Sequence, residues 1–257
     1  MHDSPIKRGL LLFGSFIIAY NVSALLHELC HAAAGWFTGN YATGLSIHPF
    51  SWSYASFDSP ISILTTAAGA LGASLIGVIL FVCCYRSTKQ WLMPVMLMSP
   101  MIFLYNGGYW LIDIVMKAGG DACRLIEYGI PSFMLYATAL ILVISGVLSF
   151  IFLIKKMALL TGTFKDRLIT LAVGIGTYIA ALLTWHLLFN REEIGLWAAC
   201  AAFGSVLILA MATVPFNAQS KKMKAASWKS IIAIDLIGIS IIVLLLMLNP
   251  GSGSFPR

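Results

Sequence analysis

The sequence predicts an all-α polytopic membrane protein, with about seven transmembrane helices and a short membrane-associated β segment after the first. Three observations carry this prediction. Of 257 residues, 60% are hydrophobic and only 10% are charged, whereas a soluble domain carries roughly 25% charged residues. The apolar residues fall into runs of about the 20 needed to cross the hydrocarbon core. Between the first two runs lies a stretch without Lys or Arg in which apolar and polar residues alternate, the pattern of a half-buried strand.

The elements follow in order. The first span, 9–35, comes after the basic pair Lys7 and Arg8. A basic start and an apolar run also describe a signal peptide, but no small-residue cleavage site follows, so the segment reads as a retained helix. The stretch FTGNYATGLSIHPFSWSYASFDSP comes next. Its Leu45, Ile47, Phe50, Trp52, Tyr54 and Phe57 suit short strands lying at the membrane surface. The second span, 61–85, contains the small-residue run AAGALGASLIG, which favours close helix packing. The third, 91–116, holds Asn106, Gly107, Gly108 and Asp113. The fourth, 131–154, ends at Lys155 and Lys156. Only Asn190–Glu193 separates the fifth, 168–189, from the sixth, 194–215, as in a tight helical hairpin. The seventh, 230–248, follows a lysine-rich loop, and NPGSGSFPR closes the chain as a loose end.

If all seven cross, twelve of the sixteen Lys and Arg lie on one side of the membrane. Only Lys117, Arg124, Arg191 and Arg257 lie on the other. The positive-inside rule then puts the N-terminus in the cytoplasm and the C-terminus outside. These loops account for the net charge of +6, so no nucleic-acid partner is expected. The five cysteines form no CxxC pair and are odd in number, which suggests buried free thiols rather than a disulfide framework.

The chemistry concentrates in SALLHELCHAAAGW, inside the first span. His27 and His31 stand four residues apart, which places them on one helix face about one turn apart. Two imidazoles so placed can share a metal ion, and Glu28 can reach a water beside it as general base. This is the HExxH arrangement of zinc hydrolases. Ionisable groups within a membrane segment are costly and usually functional; the plain alternative is a polar patch that joins helices. A catalytic zinc needs a third protein ligand. Asp3, Asp58, Asp166, Glu192 and Glu193 fall in termini or loops, and Asp235 is expected to face the cytoplasm. Asp113, Asp121 and Glu127 remain.

These stretches together resemble the site-2 protease family of intramembrane zinc metalloproteases (peptidase M50-like). HELCHAAAGWFTGNYATGLSIHPF is similar to that family's HExxH, small residues, glycine turn and membrane-associated strand. Ala67–Gly77 resembles its small-residue helix, and DACRLI (Asp121–Ile126) its D-G-G-R-hydrophobic block. The resemblance covers about residues 10–130. It implies Zn2+ held by His27, His31 and Asp121, with Glu28 as the catalytic base. The implied reaction is hydrolysis of peptide bonds in membrane-embedded or membrane-proximal substrates through a metal-activated water. The implied organisation is a catalytic membrane core over 1–130 and additional transmembrane helices over 131–257. The implied partners are a membrane protein or peptide substrate and the lipid bilayer, which is the cell membrane if the chain is prokaryotic.

Ala122 and Cys123 stand where the family has glycines, and Asn106 lies further upstream than the family's asparagine. Asp113 therefore stays open as a rival third ligand, and Glu127 is the candidate under a different zinc-protease class. The alternative function is a non-proteolytic metal-binding membrane protein, either a transporter or an inactive homologue. Asn106 with Gly107 and Gly108 either opens the backbone near the site or permits tight packing. Arg124 either orients a carboxylate or anchors the interface. His186 reads as a helix-pairing residue, and His48 as a neighbour of the site without a motif. By topology, HELCH and Asp121 both lie towards the outer ends of their spans, at one depth, whereas the family usually places its site towards the cytoplasm.

Overall fold

The computed structural model describes residues 4–49, 53–58, 60–87, 89–189, 211, 213 and 226–248. Helix α1 (Pro5–Thr38) is capped by the Ser4 hydroxyl, which accepts the Lys7 amide, with Pro5 in the first turn. At 34 residues it is about 51 Å long, more than the ~30 Å hydrocarbon core requires. Gly39, at φ 78°, ends it in the left-handed conformation that glycine adopts without strain. Strands β1 (Ala42–Ser46) and β2 (Tyr54–Phe57) then form an antiparallel pair, with Leu45 opposite Ala55. The expected β segment is thus a hairpin; Phe50 and Trp52, expected to belong to it, lie outside the described residues.

Helix α2 (Ile63–Cys84) starts at a Ser62 cap. A single 3-10 turn (Gln90–Leu92) leads into α3 (Met93–Met116). The short α4 (Asp121–Glu127) and the long α5 (Ser132–Lys156) follow. Helix α6 (Phe164–Leu171) runs through a π turn (Ala172–Gly176) into α7 (Thr177–Phe189), and α8 (Trp228–Leu248) comes last. Six described stretches are long and apolar enough to cross a membrane, and they match six of the seven expected spans. The expected span 194–215 lies outside the described residues, except for 211 and 213.

Helix α1 is the hub. It packs against α2, α3, the α6–α7 stretch and α8, while α3 is held on its far side by α5. Lipid tails are as apolar as leucine, so helices in a bilayer associate where small residues let backbones approach. Gly14 shows this: a Cβ there would stand 2.9 Å from the Asp235 backbone of α8. The same approach sets the Asp235 carboxylate against α1. Asp235 therefore meets a neighbouring helix rather than the cytoplasm expected from its place near basic residues. Large apolar side chains such as Leu75, Ile141 and Leu244 point outward from α2, α5 and α8, as lipid-facing residues do. The four described cysteines are free, as expected, but none is fully buried, and Cys83 points outward. An apolar thiol needs no core when the surrounding solvent is lipid.

The two ends of the bundle differ. At the basic end, Arg8 donates to the Thr161 carbonyl at 2.9 Å. Gln90 there donates to the Met157 carbonyl and accepts the Ala226 amide. The other end gathers the C-terminal part of α1, the β hairpin, the start of α2, the end of α3, and α4. The chemistry lies here.

Candidate metal centre

Helical spacing places His27 and His31 on the same face of α1, and both are buried. Their Nε2 atoms are 3.1 Å apart. Asp121, the first residue of α4, brings Oδ2 to 2.9 Å from His31 Nε2 and 3.1 Å from His27 Nε2. Three ligand-type atoms from two helices thus converge on one point. Glu28 is 3% exposed. Its carboxylate oxygen lies within 4.8 Å of the ligand nitrogens of both histidines, and the Ala55 amide of β2 bonds to it.

The neighbours of each imidazole fix its orientation. His31 Nδ1 stands 2.7 Å from the Thr65 carbonyl, which can only accept, so Nδ1 carries the hydrogen. His27 Nδ1 stands 2.7 Å from Asn106 Oδ1. Each Nε2 therefore faces Asp121, and offers a lone pair to a metal whenever its ring is neutral. Burial pushes the Asp121 carboxyl up, but the charge of His31 and the hydrogen bonds from both imidazoles outweigh it. The group is held well below the usual carboxylate range, and Asp121 is ionised at neutral pH. Two lone pairs and a carboxylate within about 3 Å repel one another unless positive charge sits among them. Tetrahedral zinc with bonds of about 2.0–2.1 Å separates its ligand atoms by about 3.3 Å, so a small opening of this triangle seats the ion. The residues fit a zinc site.

Gly69 of α2 makes room for the second imidazole. A Cβ built on it would fall 2.2 Å from His31 Nε2, so no other residue leaves that ring in place. Tyr105 and Tyr109 of α3 meet the His27 ring edge-on, at centroid distances of 5.6 and 5.4 Å.

Asp113, the rival third ligand, is fully buried but turned away from the imidazoles. Its two oxygens accept the Gly120 amide at 2.7 Å and the Cys123 amide at 3.0 Å. It thereby satisfies orphan donors at the start of α4 and holds the turn from which Asp121 projects. Glu127 lines the same cavity from an exposed position on the far turn of α4. Arg124 also lines the cavity. His48 is buried beside Trp185, at 5.2 Å between centroids, and not in the cavity lining. His186 is likewise fully buried and faces His48 electrostatically.

The cavity has a volume of about 670 Å³ and opens between α1, α4 and β2. Among the described residues, β2 pairs only with β1, so its other edge borders the cavity. Sequence reasoning named the three converging residues and Glu28. The roles of Asp113, Gly69 and Tyr109 it did not assign. Asp113 had a signal, a carboxylate eight residues before Asp121; Gly69 was visible only as part of a small-residue run.

A family model described as Peptidase M50B-like matches residues 14–160, from within α1 to just beyond α5. No curated protein and no solved structure gives a significant match.

Proposed function

The chain belongs to the Peptidase M50B-like family, and on that premise we propose that it is an intramembrane zinc metalloprotease. One observation carries the reading: His27 Nε2, His31 Nε2 and Asp121 Oδ2 converge within 3.1 Å of one another inside the bundle. These three residues are the proposed ligands. A zinc ion bound by them supplies Lewis-acid polarisation of a scissile carbonyl and lowers the pKa of water.

The remaining chemistry belongs to the chain. Glu28 stands beside the ligand set without bridging it and acts as general base. It takes a proton from the attacking water and returns it to the leaving amine. The Ala55 amide holds that carboxylate in place. Asp113 and Gly120 fix the start of α4, and so the direction of Asp121. The substrate is a membrane protein or peptide whose helix has unwound near the site, because helical amides are otherwise paired. The cavity-facing edge of β2, which pairs with no other strand among the described residues, offers backbone groups to such a stretch by strand addition. On this reading residues 1–130 hold the catalytic core, and the helices after it cover α3 and α1.

The test separates this function from metal binding without proteolysis. Purified wild type and Glu28→Gln are compared for zinc content and for cleavage of a membrane-helix substrate in detergent or vesicles. Zinc in both with cleavage only in wild type supports a protease. Equal cleavage in Glu28→Gln contradicts the proposed base, and zinc without cleavage in wild type favours the non-proteolytic metal binder.

A further inference from the structure

Asn106 lies in the middle of α3, fully buried. A primary amide at such a place costs several kcal/mol unless its hydrogen bonds are made. Three are made, using both N–H groups and the oxygen, and to specific partners. Nδ2 donates to the Ala70 carbonyl at 3.2 Å and to Ser74 Oγ at 3.3 Å, both on α2. Oδ1 faces His27 Nδ1 at 2.7 Å.

This pattern admits one assignment. A backbone carbonyl accepts and never donates, so the amide nitrogen must face Ala70. The amide oxygen must then face His27, and an oxygen without hydrogen can only accept, so His27 Nδ1 carries the proton. The ring nitrogen left with a lone pair is Nε2, the one aimed at Asp121 and His31. Close helix packing, the other reading of this segment, falls to the next residue. A Cβ on Gly107 would stand 2.7 Å from the Ala139 carbonyl of α5. Gly107 faces α5, and Asn106 faces the site.

We propose that Asn106 is a positioning residue, which, braced by Ala70 and Ser74 of α2, fixes the tautomer and ring rotation of His27 so that Nε2 can ligate the metal. The inference rests on the zinc-site reading of the converging residues. Helix α2 then orients both imidazoles: His31 directly through the Thr65 carbonyl, and His27 through Asn106.

Two measurements test it on the full-length chain in detergent. In the first, zinc is competed from wild type and Asn106→Leu by a chromogenic chelator. The expected result is a loss of affinity of about 10–100-fold in Asn106→Leu, the scale of losing an outer hydrogen-bond partner of a metal-bound histidine. In the second, 15N-histidine NMR of wild type, zinc-free and zinc-loaded, locates the ring proton of His27. It is expected on Nδ1 in both states, and this measurement stands even if Asn106→Leu does not fold. Zinc held equally tightly by wild type and Asn106→Leu overturns the inference alone, as does a His27 proton found on Nε2 in zinc-free wild type. A wild-type chain that binds no zinc overturns the zinc-site reading and this inference with it.

Discussion

Replacing Gly69 by alanine adds one methyl group, and the structure says where it goes. The new Cβ would lie 2.2 Å from His31 Nε2, 2.5 Å from Cε1 and 2.7 Å from Cδ2. Carbon and nitrogen atoms in contact prefer about 3.5 Å, so the ring must retreat by roughly 1 Å. Its Nδ1 is meanwhile tied to Thr65, four residues earlier on the same helix. The ring cannot keep that hydrogen bond and also clear the methyl. Metal-ligand distances tolerate only about ±0.2 Å. Zinc affinity should therefore fall at least about 10–100-fold, and cleavage by about 10²-fold or more, the usual cost of a 1 Å misplacement. Overpacking should also lower stability by about 1–3 kcal/mol. The assay is zinc per chain after chelator washing, together with cleavage rate and thermal midpoint. Gly108→Ala on α3 is the control, because its Cβ meets nothing within 4 Å. If Gly69→Ala keeps zinc as tightly as Gly108→Ala does, then Gly69 is not the cradle of His31.

Other outcomes follow from the same geometry. Asp113→Asn replaces one acceptor by a donor facing a buried amide of α4, at a cost of about 1–3 kcal/mol. It should lower the thermal midpoint while keeping zinc at saturating metal, and complete loss of zinc would restore Asp113 as a ligand. Ala55→Pro removes the amide that reaches Glu28 and one donor from the cavity edge of β2. Cleavage should drop at least about tenfold, the effect of roughly one lost charge-assisted hydrogen bond, with zinc content unchanged; full activity would contradict strand addition. Burial, reinforced by His186, lowers the His48 pKa to about 4. A folded-state pKa below the unfolded value of about 6.5 gives stability that is complete above pH 6.5 and lost as pH falls towards 4. Thermal midpoints of solubilised protein should decline over that window, less steeply in His48→Phe; identical slopes would rule out this contribution.

The fold was legible in the sequence wherever one solvent dictated the pattern. The six described spans needed only length and apolarity, because nothing but a helix satisfies its own backbone in lipid. The short strands were legible from alternation and aromatic residues, though not their pairing, which sets Leu45 opposite Ala55. HExxH was legible because two histidines four apart share a face on any helix. Asp121 needed the family resemblance, since its approach to His27 depends on how α4 leaves α3. Asp113 stayed a rival because sequence shows a carboxylate and not which amides it caps. Gly69 and Asn106 act across helix interfaces, where each residue's meaning comes from the facing helix. Asp235 was misjudged for the same reason: its basic neighbours suggested water, but Gly14 on another helix admits its carboxylate against α1.

The proposed metal site takes Asp121 as its third ligand beside His27 and His31. Its most direct test is zinc per chain, measured by mass spectrometry on purified wild type and Asp121→Asn after the same chelator wash. One zinc per wild-type chain and close to none in Asp121→Asn are expected. Equal zinc in both, or none in either, would contradict it.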